Sequence, residues 1–129
     1  MNQGALARGV ELFNQGEFWH AHEAWEEAWL EEDDEPKRFL QGLIQVAAGY
    51  YKATVQNQPV GCVKLLTAGL AKLSHQPDSF EGVELLAFRA AVLRTLAQAR
   101  RWQAGELPGL ERAAIPRLAH TATSGPRAP

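Results

Sequence analysis

Apolar residues along this chain return every three to four positions, and no stretch shows the period-two alternation of a half-buried strand. Five helices are therefore predicted. Leu6, Val10 and Phe13 make an i, i+4, i+7 stripe that stops at Gly16, a residue suited to the positive φ just past a helix end. A second helix over about residues 17 to 32 gathers Phe18, Ala21, Trp25, Ala28 and Trp29 on one side and His20, Glu23, Glu27 and Glu31 on the other. The acidic run EEDDEP that follows would oppose the negative end of that helix, so it reads better as the start of the next. There Asp34 or Glu35 is expected to cap free backbone N–H groups, with Pro36 in the first turn. The third helix, about residues 37 to 55, is apolar nearly all round and belongs in the middle of a bundle. Its polar line is Gln41, Gln45 and Lys52, and Gly42 and Gly49 beside it would admit a neighbouring helix closely.

After QNQP a fourth helix turns Cys62, Leu65, Leu66, Gly69, Leu70 and Leu73 inward. A fifth, over about residues 79 to 103, buries Leu85, Phe88, Val92, Leu96 and Ala99, and Asp78 precedes Glu81 by the spacing of a capping box. The expected architecture is an all-α bundle over residues 1–104, with its second and third helices paired as a hairpin. Residues 105–129 are expected to be a C-terminal extension: ELPGLERAAIPRL docks as one turn, and AHTATSGPRAP is a mobile tail.

Composition narrows this picture without changing it. A chain of 129 residues, 46% hydrophobic and 22% charged, fits one globular domain. Its single cysteine, Cys62, permits neither an internal disulfide nor a cysteine-based zinc site, so a reducing, cytoplasmic setting is expected. Neither a signal peptide nor a membrane-spanning run is visible, and no membrane association is expected. Ten of the fifteen acids fall in residues 1 to 35, where Arg8 is the one base. Arg89, Arg94, Arg100 and Arg101 spread too widely round their helix for a phosphate-tracking stripe, so nucleic acid is not an expected partner.

The candidate chemistry lies in FWHAHEAWEEAW. His22 and Glu26 are one helical turn apart on a face adjoining the tryptophan stripe, and Gln41 and Gln45 are the nearest polar groups an antiparallel hairpin would bring to them. A cluster of His22, Glu26, Gln41 and Gln45, with Glu23 at its rim, is the expected site. It can be a satisfied structural network, a cleft for a small ligand or partner protein, or the acid–base pair of a hydrolase using H-E-x-x-E, with or without a metal. A zinc site needs at least three protein ligands, and His20, His75 and His120 are badly placed to supply the third. Glu17-x-x-His20 is half of a di-iron motif whose other half is missing. No metal or other cofactor is expected. Trp19 and Trp102 lie off their apolar stripes and are candidate interface anchors, which leaves self-association open.

FNQGEFWHAHEAWEEAW resembles the F-N-x-G-x-[FY]-[FW]-x-x-H-E-x-x-E-x-x-W signature of the bacterial and archaeal domain of unknown function 309, and FLQGLIQVAAGYY is similar to its F-x-x-G-L-I-Q-x-A segment. A weaker pattern at Asn57, Gly61 and Leu65 extends the resemblance over about residues 12 to 75. The resemblance implies a small helical bundle, with His22, Glu23, Glu26, Trp29, Gly42 and Gln45 as the characteristic positions, and implies no activity. Where many members carry a histidine this chain has Lys52, which would remove an extra metal ligand and offer a cation to Glu26 or Glu23.

Overall fold

The computed structural model describes residues 1–121 and contains five helices: Gln3–Asn14 (α1), Phe18–Trp29 (α2), Asp34–Thr54 (α3), Pro59–Leu73 (α4) and Leu86–Gln103 (α5). Each helix packs on the next in chain order, which gives the expected all-α bundle. Asn2 opens α1 by accepting the Ala5 N–H on its side chain at 3.0 Å. Gly16 closes it at φ 81°, and the N–H groups of Gly16 and Glu17 return to the carbonyls of Phe13 and Leu12, both at 2.9 Å. The acidic start of α3 departs from expectation. Asp34 takes a φ of 54° and no side chain caps the helix; Glu35 instead accepts a hydrogen bond from Gln76 at 3.0 Å.

α3 is the central helix, with Phe39, Leu40, Leu43, Val46, Ala47 and Tyr50 fully buried. Its contact with α4 is set by missing side chains. A Cβ on Gly42 would lie 2.9 Å from Leu73, one on Gly49 2.9 Å from Leu66, and one on Gly69 2.8 Å from the Gly42 carbonyl oxygen. Phe13 sits where the helices meet, its ring 5.1 to 6.0 Å from those of Phe18, Trp25, Tyr50 and Phe88. The Tyr50 hydroxyl reaches Thr95 at 2.7 Å, and Thr95 in turn donates to the Val92 carbonyl, so a buried polar pair is satisfied between α3 and α5. Burial pushes the Tyr50 phenol above the usual tyrosine range, and pushes the Cys62 thiol up to about 12. Cys62 is thereby an inert part of the core.

The predicted fifth helix is shortened at its start. Ser79–Phe80 (β1) and Val83–Glu84 (β2) form an antiparallel hairpin in place of the capping box, and Glu81 and Gly82 turn it with φ of 50° and 78°. Ala119–His120 (β3) pairs with β2, so the segment expected to be a mobile tail begins as a strand; its remainder, residues 122–129, lies outside the described residues. A short 3₁₀ turn at Arg112–Ala114 precedes it, and the Asn14 amide holds Leu118 by two hydrogen bonds of 2.9 and 2.7 Å to its backbone. No helix among the described residues is long and apolar enough to cross a membrane.

Candidate functional site

α2 has two inward flanks. On the α1 side, Trp25 is completely buried, and its indole N–H donates to the Leu6 carbonyl at 3.1 Å. Gly9 makes room for the ring, because a Cβ there would fall on the indole itself. On the α3 side stands His22, with 16% of its side chain exposed.

The His22 ring is positioned by stacking. Trp19 lies over it with centroids 4.7 Å apart and planes 20° apart, and Tyr51 extends the stack from Trp19 at 5.2 Å. The ring Nε2 is 3.6 Å from the Glu26 carboxylate, an ion-pair distance longer than a hydrogen bond. Neither Gln41 nor Gln45 reaches the ring. His22 Nδ1 and Gln45 Oε1 are buried and, among the described residues, without a hydrogen-bond partner. This departs from the self-satisfied network considered from sequence: the helices bring the polar residues together without pairing them.

A pocket of about 300 Å³ occupies the space between α2, α3 and α4. His22, Glu26, Gln41 and Gln45 form its polar side, and Trp29, Ile44, Ala48 and Leu65 its apolar side. Lys37 holds its ammonium 4.2 Å above the Trp29 ring, which fixes that wall by a cation–π contact. Of the four apolar residues, Trp29 was among the characteristic positions of the resemblance, while Ile44, Ala48 and Leu65 were not legible as site residues beforehand. Ala48 is one of several small residues on α3, beside Ala47 and Gly49, so nothing set it apart.

The other candidates fall elsewhere. Glu23 lies on the solvent side of α2, 3.3 Å from His20, and both are mostly exposed, as expected of a residue about 100° round the helix from His22. Lys52 pairs with neither Glu26 nor Glu23. Its stem runs beside Gly61, where a Cβ would lie 3.1 Å from it, and it makes no ion pair among the described residues. Trp19 remains 45% exposed and Trp102 is half-buried on α5; neither lines the pocket. Among the described residues no three His, Cys, Asp or Glu side chains converge as metal ligands would.

The family model described as "Domain of unknown function (DUF309)" matches residues 6–65, from α1 into α4. An "Uncharacterized protein" of Aquifex aeolicus (strain VF5) is 33% identical over 79 residues, which is 60% of this chain and 23% of that protein. The chain thus spans under a quarter of that relative's length. Every residue lining the His22 pocket falls inside the span of this chain that the DUF309 family model matches.

Proposed function

We propose that the protein is a small-ligand-binding module whose ligand occupies the His22 pocket. The observation that carries this reading is the buried, unpaired state of His22 Nδ1 and Gln45 Oε1 on residues that line an open cavity. A buried polar atom without a partner costs about 1–3 kcal/mol, and a bound polar group would recover that. The volume of about 300 Å³ is at the small end for ligand sites, and the lining mixes apolar walls with a few polar groups. A compact molecule with a polar head and a short apolar body fits both facts. Trp19, stacked on His22 and 45% exposed, adds an aromatic surface next to that pocket residue. A cytoplasmic setting accompanies this reading, since the chain's one cysteine leaves no internal disulfide to form.

Screening by two-dimensional amide NMR with a small-fragment library tests it. Fragments should shift the Gln45 side-chain amide and the Trp29 indole together, and Ala48→Leu, which fills the cavity, should abolish both shifts. If no fragment produces them, or if they persist in the filled variant, the binding reading fails.

The 3.6 Å approach of Glu26 to His22 favours a second reading, acid–base hydrolysis. No Ser, Thr or Cys lines the pocket, so water would be the nucleophile. Ester or amide turnover that disappears in His22→Ala would favour this reading; binding without turnover removes it.

A further inference from the structure

α5 carries a stripe that nothing among the described residues covers. Leu86, Ala90, Leu93, Ala97 and Arg100 are all exposed and fall within about 80° of one another round the helix. The two leucines are 63% and 57% exposed. Leu86 and Leu93 are seven residues apart, as are Ala90 and Ala97, so large and small side chains alternate along one seam. An open, largely apolar groove of about 560 Å³ runs beside it, against Leu70, Ala71 and Leu96. Charge adds a direction. Neither α4 nor α5 contains an acid, Arg100 has no ion-pair partner among the described residues, and Glu84, exposed just before α5, is held by Ser79 alone at 3.0 Å.

We propose that this stripe is a two-fold interface between two copies of the chain, with α5 packed antiparallel on its counterpart. An axis passing midway between Ala90 and Leu93 seats Leu86 against Ala97 of the partner subunit and Leu93 against Ala90 of the partner subunit. Each large side chain then meets a small one, in both directions, as an isologous contact requires. The same register carries Arg100 to the start of the opposite helix, beside Glu84 of the partner subunit, so two opposite-charge contacts flank the apolar seam. A parallel two-fold arrangement would instead set leucine on leucine and Arg100 on Arg100, which the charge pattern disfavours.

Sedimentation velocity of the full chain over a concentration series tests the proposal. The expected result is a monomer–dimer equilibrium that Leu93→Glu abolishes, with its thermal midpoint showing that the fold survives. Arg100→Glu should weaken the dimer about tenfold, since two pairs are lost per dimer, and adding Glu84→Arg in the same chain should restore it. A wild-type chain that stays monomeric at its solubility limit overturns the interface. A dimer indifferent to Leu93→Glu, or a charge exchange that fails to restore association, does the same.

Discussion

The two inward flanks of α2 use the same kinds of residue and end in opposite states. Against α1, Trp25 is sealed, its N–H has an acceptor at 3.1 Å, and the neighbouring helix gives up a side chain at Gly9 to admit it. Against α3, Trp29 lines a cavity and the polar atoms of His22 and Gln45 stay unpaired. A fold that needs a polar group only for stability normally gives it a partner. On the proposed ligand-binding reading, the contrast within one twelve-residue helix separates packing from function more clearly than either flank does alone.

The contrast breaks most easily at its sealed side. Trp25→Ala should lower the unfolding free energy by about 3–5 kcal/mol in urea titrations, through lost burial and the cavity left behind. A loss below about 1 kcal/mol would mean that the flank is not sealed as described. Gly9→Ala comes next, at about 2 kcal/mol, because the added methyl must displace an indole that has no free space to enter. On the open flank, Gln45→Leu should change stability by less than about 1 kcal/mol, or raise it, since it removes an unpaired buried acceptor while keeping shape. The same substitution should abolish the fragment-induced shift of the Trp29 indole. A large destabilisation would show that Gln45 is a structural residue after all.

The smallest expected effect is a pH dependence that belongs to neither flank. Burial lowers the pKa of His120, and its contact with the Glu81 carbonyl, 3.3 Å away, opposes the shift only in part. The folded chain thus favours the neutral ring more than the unfolded chain does. That contribution is complete above the unfolded value of about 6.5 and is lost as pH falls through it. Urea midpoints should decline from about pH 7 towards pH 5, and His120→Asn should flatten that part of the decline. What slope remains can then be assigned to other groups, the open flank included.

How much of this was legible beforehand follows from the range of each interaction. The helices of the hairpin and the His22–Glu26 juxtaposition depend on 3.6-residue periodicity, which is local and visible in the sequence. The close approach at Gly42 and Gly49 was legible for the same reason, as two side chains missing from one line. The hairpin at Ser79–Glu84 was hidden because each strand has only two residues, too few to show a period, and because its turn puts Glu81 in a left-handed conformation better suited to glycine or asparagine. Gly9 gave no signal, since its role is defined by a ring on another helix. The pocket walls were equally hidden: Leu65 read as an inward-facing residue, Ile44 and Ala48 had nothing to mark them out, and only the crossing of three helices leaves a space between them.

The glycine-lined junction of α3 and α4 also determines which wall of the pocket can yield. Backbones pressed together at Gly42, Gly49 and Gly69 have no slack to take up, so Leu65 stands on a fixed abutment. Among the described residues α2 has no such glycine contact with α3, and it is sealed to α1 through Trp25, so the two helices together form the wall opposite that abutment. Accommodating a bulkier guest would therefore register first as a displacement of α1 and α2 together, with the α3–α4 pair standing still.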